Sequence, residues 1–356
     1  AAITTADGGT AQAIDLDSAN TGTVTFGAAG ALDSDTTASV TGAAGVSMAS
    51  GSSITADTTA EVIATAGNIA LGQVTAGTTA TATLSASAGS ITDNNGDSTN
   101  NVTAATLVAS AQDLVGDASD NILLNPGDTG FNALETAVAN LTVTTTAADA
   151  DIAIDNTKGS TLTVDAVTPS TTGQDATMWI RNDNGVTVSA WTLDGNDNVA
   201  LLATAGNVEI PNDQYSGLAG TSDAGVIDGN GNLENLDISV GTGKVRLGAA
   251  AGYVQDSLNK ALAIKASDLL LKANQLRSET DATDVGTGPI TTDLVPHLAV
   301  ELTGSLDVDV NSASQSLMIV GANSSNNSAD LKIADLDSDS NAITTNAGAL
   351  KIIVLN

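Results

Sequence analysis

The sequence predicts an all-β protein whose strands stack as a parallel β-helix, a β-solenoid with rungs of about 20–23 residues. Three observations carry that prediction. First, an eight-residue pattern recurs as Val62-Ile-Ala-Thr-Ala-Gly-Asn-Ile69, Leu84-Ser-Ala-Ser-Ala-Gly-Ser-Ile91, Leu107-Val-Ala-Ser-Ala-Gln-Asp-Leu114 and Leu201-Leu-Ala-Thr-Ala-Gly-Asn-Val208. Gly45, Gly67 and Gly89 are evenly spaced, and Gln112 takes the same place in the next copy, one position late. A fixed period of that length marks a stacked repeat. Second, aromatic residues are 2% of the chain, so Ala, Val, Ile and Leu must supply the core. Small and β-branched side chains suit a solenoid, where each rung repeats one narrow cross-section. Third, short β-prone runs alternate with clusters of Gly, Asp, Asn and Ser, the pattern of strands bounded by turns.

Thr23-Val-Thr-Phe26, Ala38-Ser-Val40 and Gly45-Val-Ser-Met48 are short strands, and Ala60–Leu114 holds the clearest repeats. Asp93–Asn101 is a long polar turn between rungs. Strands are expected at Leu141–Thr144, Asp151–Asp155, Leu162–Val167, Met178–Ile180, Val186–Ser189 and Val199–Leu202. Period-2 alternation puts Leu162, Val164 and Ala166 on one face and Thr161, Thr163 and Asp165 on the other. Residues 212–235 lack any period and read as an irregular loop or atypical rung. Strands resume at Leu236–Val240 and Lys244–Leu247. The stretch 253–279 is ambiguous: it fits a helical stripe, yet Leu262–Ala266 and Leu269–Ala273 repeat the strand pattern, which is preferred. Leu298–Leu302, Leu306–Val310, Leu317–Val320, Leu331–Ile333 and Lys351–Leu355 are the last strands. The expected organisation is a single elongated solenoid over residues 1–356.

Composition narrows the function. The formal charge is -31, with ten Lys and Arg in 356 residues, eight of them from Lys244 onward. Acidity on that scale argues against a nucleic-acid partner and against anionic membrane surfaces. Acidic disorder pairs high charge with low hydrophobicity, but here 42% of residues are hydrophobic and patterned, so the chain reads as ordered with an acidic skin. The absence of Cys excludes disulfides and thiolate metal sites. No apolar run reaches transmembrane length, so membrane insertion is not expected. The chain opens on Ala1-Ala-Ile3, as signal-peptidase cleavage often leaves it, so the expected location is extracellular or cell-surface after signal-peptide removal.

The units Leu-x-Ala-x-Ala-Gly-x-Ile and Leu-Thr-Val resemble those of filamentous-haemagglutinin-like proteins, the large exported adhesins and fibres of bacterial surfaces. The likeness covers most of residues 20–355 and is weakest over 212–260. What it implies is a right-handed parallel β-helix and an extracellular rod, either a fibre subunit or an adhesin stalk, with surface glycans among its partners. No counterpart of that family's secretion-recognition segment lies near Ala1.

Few residues carry candidate chemistry. Asp335, Asp337 and Asp339 alternate in Asp335-Leu-Asp-Ser-Asp-Ser-Asn341 and would share one face of an extended segment. Such oxygen clusters suit Ca²⁺, the one cofactor considered, although the Gly and terminal Glu of an EF-hand loop are missing. Asp15 with Asp17, and Asp93 with Asp97, are weaker versions. His297 is the only His and no Gly-x-Ser-x-Gly elbow exists, so no Ser–His–Asp triad is expected. A carbohydrate-active β-helix enzyme or glycan-binding module is the alternative function, since Asp is abundant and a hydrolase needs a pair of carboxylates. It would draw on Trp179, Trp191, Tyr215, Tyr253, Phe26 and Phe131, the only aromatics. Asn101, Asn140, Asn323 and Asn326 open glycosylation sequons, and no phosphate-cradling motif occurs. The C-terminal run of Leu350, Ile352, Ile353, Val354 and Leu355 is apolar and β-prone with no cap after it. It is the candidate for self-assembly, adding to a sheet edge of the next copy to build a homopolymer. The expected function is therefore a non-enzymatic structural fibre or stalk that associates end to end.

Overall fold

The computed structural model describes residues 2–4, 13–18, 20–118, 132–169, 176–193, 195–211, 236–256, 262–276, 298–311, 317–321, 331–345 and 350–354. Among them there is no helix, and every strand pair is parallel, so the fold is the expected β-solenoid. The residues fall into two compact units, 1–120 with 126–184, and 121–125 with 185–356.

The first unit has three stacked faces. One face stacks Ile14–Ser18, Thr37–Gly42, Thr59–Ala64, Thr81–Ala86, Thr106–Ala111, Asn140–Thr145 and Leu162–Thr168. A second stacks Thr23–Phe26, Gly45–Met48, Ile69–Leu71 and Ile91–Asp93, and narrows to the bridging residues Val115 and Ile152. The third stacks Ala2–Thr4, Ala31–Ser34, Ser53–Ala56, Gln73–Ala76, Val102–Thr103, Leu134–Ala137, Ile152–Asn156 and Thr177–Asn182.

Alternation drives the stacking. In Thr37–Gly42, Thr59–Ala64 and Thr81–Ala86 every second residue is buried. Val40, Val62 and Leu84 therefore fall on one ladder inside the stack, each fully buried. Slipping a strand by one residue would turn this set outward, which fixes the register. Thr37 pairs with Thr59 and Thr59 with Thr81, so these rungs keep the spacing of the sequence repeat. A later rung is longer: Val102 pairs with Thr136. One corner is lined by polar groups. Buried Asn156 accepts from Thr136 Oγ1 (2.9 Å) and the Val138 amide (2.8 Å), and donates to Asn182 Oδ1 (2.8 Å).

Gly67 and Gly89 stack at one corner of this unit. A Cβ on Gly67 would run into the Ala44 carbonyl oxygen, and one on Gly89 into Asn68 Oδ1 and the Gly67 backbone. Gly45 is displaced from this column by one residue: Val46, not Ser47, pairs with Ile69, which sets Ala44 opposite Gly67, because the Gly67 corner holds one residue more. Gly206 lies in the second unit, where Gly252 stacks closely against it.

The second unit also has three parallel faces. Asn198–Ala203, the first half of Lys244–Asp256, Asp268–Leu276 and Ser305–Val310 form one, closed by Lys332–Ile333 and Ile343–Thr345. Ile238–Ser239, Leu262–Ala266, Leu298–Leu302, Leu317–Gly321 and Leu350–Val354 form another. Val186–Val188, Val208–Ile210 and the second half of Lys244–Asp256 form the third. The stretch that also fits a helical stripe is strand over Tyr253–Asp256, Leu262–Ala266 and Asp268–Leu276. Leu269, Leu271 and Ala273 point into the stack at period two, and that burial overrides the helical spacing. The segment 212–235, with Tyr215, lies outside the described residues, as do Phe131, His297, Asn323, Asn326 and Leu355.

Candidate functional site

Two acidic clusters stand out from the polar surface, one in each unit. The second-unit cluster is built on three adjacent strands. Along one ladder Gly248 pairs with Lys272 and Lys272 with Asp309; along the next, Arg246 pairs with Leu270 and Leu270 with Asp307. All point away from the core. Alternation alone would leave them in water, yet Leu270, Asp307 and Asp309 are buried. The segment 334–341 covers them: the Leu336 amide donates to Asp307 Oδ2 at 2.7 Å, and Asp337 and Asp339 reach Lys272.

Asp335, Asp337 and Asp339 lie in this cover. They sit in an irregular turn, not in an extended strand. Ser338 and Ser340 take positive φ angles of 65° and 77°. The amides of Asp339, Ser340 and Asn341 are capped by the carboxylates of Asp337, Asp335 and Asp339. The position a cation would take among Asp309, Asp337 and Asp339 holds the Lys272 ammonium. It lies 3.0 Å from Asp309 Oδ2 and 2.6 Å from Asp339 Oδ2, and pairs with Asp337 as well. Burial opposes the Lys272 charge, but hydrogen bonds to Asp337, Asp339 and Asp309 together hold its pKa above the ordinary lysine value. The Lys272 hydrogen bond, then the Asn341 amide, hold Asp339 below the ordinary carboxylate range. Burial pushes Asp307 up to about 6; the Leu336 amide opposes this, while Asp309 and Asp337 add to it.

The first-unit cluster joins Asp93, Asp97 and Glu135, one carboxylate oxygen of each lying within 4.8 Å of the others. Asp93 closes the strand Ile91–Asp93, and its carboxylate is fixed by three donors. The Asn95 amide (2.7 Å) and Asn101 Nδ2 (2.7 Å) meet Oδ1, and the Gly96 amide (3.0 Å) meets Oδ2. Glu135 is held in place by its backbone, whose amide donates to Asn101 Oδ1 (2.9 Å) and whose carbonyl accepts from the Asn101 amide (2.8 Å). Glu135 is 6% exposed, and its Oε2 is buried without a hydrogen-bond partner. Burial first, then the charge of Asp93, push its pKa up to about 7; Asp97 and Asp155 add to the rise.

A nearby cation is already committed. Arg181 grips Asp155 with hydrogen bonds of 2.9 and 2.7 Å and reaches Asp183 at 3.0 Å. Burial outweighs that guanidinium and leaves the Asp155 carboxyl above its ordinary range. The sequence singles out Asp93 and Asp97 but not Glu135 or Lys272. Glu135 meets the turn across the long rung, so no fixed period points to it. Lys272 is one of several lysines on strands, and only its pairing with Asp309 places it in the acidic cluster.

Trp179, Trp191 and Phe26 are buried, and Tyr253 Oη donates to Glu209 Oε1 at 3.1 Å. Buried as they are, Trp179, Trp191 and Phe26 offer no open ring face of the kind a sugar stacks on, while Tyr253 is half-buried. Leu350–Val354 pairs on one side with Leu317–Gly321, with Ile352 half-buried and Leu350 and Val354 exposed. Among the described residues, no helix is long and apolar enough to cross a membrane. No protein-family model, curated protein or solved structure matches the chain.

Proposed function

We propose that this chain is a structural β-solenoid module, a fibre subunit or stalk of the cell surface, whose stacks are continued end to end by further copies. The observation that carries this is where apolar side chains meet water. The exposed large hydrophobics among the described residues are Ile3, Ile333, Leu350 and Val354. Each continues an inward-facing ladder. Ile3 pairs with fully buried Leu32, and Ile333 with fully buried Leu306. Leu350 and Val354 flank Ile352, which pairs with fully buried Ile319.

An uncovered rung presents both an apolar cross-section and unpaired backbone donors and acceptors, which another strand edge satisfies. A head-to-tail contact of this kind does not close and so builds a filament. The charge of -31 opposes association, so the end-to-end contact works against like-charge repulsion and should strengthen as added salt screens it. The proposed task is mechanical, with no reaction assigned. The extracellular location rests on the filamentous-haemagglutinin resemblance.

Sedimentation velocity over a concentration series tests this. The wild-type chain should form a growing series of oligomers. Deleting residues 350–356, or the variants Ile3→Lys and Leu350→Lys, should leave folded monomers with unchanged β-sheet circular dichroism. A wild-type chain that stays monomeric at millimolar concentration would refute the proposal.

A further inference from the structure

The two acidic clusters solve the same electrostatic problem differently. Around Asp309, Asp337 and Asp339 the chain supplies its own cation, Lys272. Around Asp93, Asp97 and Glu135 it supplies none among the described residues. The charges that act on Glu135 are Asp93, Asp97 and Asp155, all negative. The first unit contains only two basic side chains, Lys158 and Arg181, and Arg181 is held by Asp155 and Asp183. Yet Glu135 is more than nine-tenths buried, and its Oε2 accepts no hydrogen bond. A buried, unpartnered carboxylate facing two others is costly unless something neutralises it.

The oxygens nearby are of one kind. Asp93, Asp97 and Glu135 offer carboxylate oxygen, with no nitrogen or sulfur ligand in the cluster. In the same turn the amide oxygen of Asn95, Oδ1, is buried without a donor, while its Nδ2 is used on the Gly72 carbonyl at 2.9 Å. Hard oxygens from carboxylates and amides, in an irregular surface turn, suit Ca²⁺. Mg²⁺ demands a stricter octahedron and keeps most of its water. The geometry is also prepared: Asp93 is oriented by three donors, and Asn101 links it to the Glu135 backbone.

We propose that Asp93, Asp97 and Glu135 form a Ca²⁺ site that ties the turn 94–101 to the strand Leu134–Ala137. The ion would bridge residues far apart in sequence, across the long rung between Val102 and Thr136. It would thereby staple the place where the regular spacing of the earlier rungs gives way. A proton on Glu135 is the competing way to remove the repulsion, and the two differ in outcome. The site is independent of end-to-end association, because its readouts are ion binding and unfolding of the single chain.

The test is calorimetric titration of the chelator-stripped full chain with CaCl₂, alongside thermal unfolding with and without Ca²⁺. Wild type should bind one Ca²⁺ above any diffuse background and melt higher with it, with a smaller response to Mg²⁺. Asp97→Asn and Glu135→Gln should each weaken binding at least tenfold and abolish the melting shift. Glu135→Gln should melt no lower than wild type in chelator, which separates lost binding from lost folding. If Glu135→Gln does not fold, Asp97→Asn decides, since Asp97 is exposed and its replacement disturbs no packing. Asp339→Asn, in the lysine-filled cluster, should keep the full response. Absence of binding at millimolar Ca²⁺, or binding that survives Asp97→Asn, would overturn the proposal and leave Glu135 neutralised by a proton.

Discussion

Replacing Lys272 by Met removes one charge and keeps an unbranched chain of similar length. In the wild-type chain the ammonium stands between Asp309 and Asp337, whose side chains are 8% and 7% exposed. Removing one partner of a buried ion pair costs about 3–5 kcal/mol, because the other charge is left unpaired. Lys272 itself is 34% exposed, so solvent screens part of the loss and about 2–3 kcal/mol is expected at pH 7. The cost should depend on pH in a definite sense. Lys272 has a folded pKa above its ordinary value, so its contribution is present below the unfolded value of 10.5 and fades as pH rises beyond it. Asp339 is depressed, so its contribution is present above 3.8 and is lost as pH falls further. Urea unfolding of Lys272→Met against wild type should therefore show the largest gap between about pH 5 and pH 9, narrowing as pH falls below 3.8 and Asp339 takes up its proton. Millimolar Ca²⁺ should recover part of the loss in the variant, because the freed oxygens then face one another without a cation. Equal stability of variant and wild type at pH 7, or a gap unchanged at pH 3, would show that the ammonium does not hold this turn down.

Two further outcomes follow from the same structure. Asp307 has its folded pKa pushed up to about 6 from 3.8, so the folded state holds this proton more tightly and stability falls as pH rises through that window. Asp307→Asn should flatten that fall, by on the order of 2 kcal/mol at neutral pH, in unfolding titrations at pH 4 and pH 7. Gly67→Ala would drive a methyl into the Ala44 carbonyl of the neighbouring rung and should cost about 1–3 kcal/mol in urea unfolding. Gly159→Ala, with open space at the same distance, is the matched control and should stay within about 0.5 kcal/mol of wild type.

Much of the fold is legible because each rung repeats one cross-section. The Ala-Gly corners give the period, and the Thr37, Thr59 and Thr81 ladder keeps it to the residue. Alternation inside Leu262–Ala266 and Leu269–Ala273 identifies strands where a helical stripe also fits. The period fails where residues are inserted at corners. Gly45 shares the spacing of Gly67 but not its place, because one extra residue enters the later corner. The acidic sites are harder to read for a related reason. Leu306-Asp-Val-Asp-Val310 reads as a strand with a solvated acidic face. Nothing in its pattern says that a later segment folds back over it, or that Lys272 lies opposite Asp309. Asp335, Asp337 and Asp339 are visible in the sequence as a cluster. Their counter-ion is not, because Lys272 comes from a much earlier strand.

End-to-end continuation of the open apolar rungs by other copies can be seen by cryo-electron microscopy of concentrated wild-type protein. It predicts unbranched filaments whose strands run across the axis, with a repeat of about 4.8 Å along it. It also predicts continuous density from the Leu350–Val354 strand of one copy onto the Ala2–Thr4 rung of the next. Single particles at every concentration, with both of those strands bare to solvent, would contradict it.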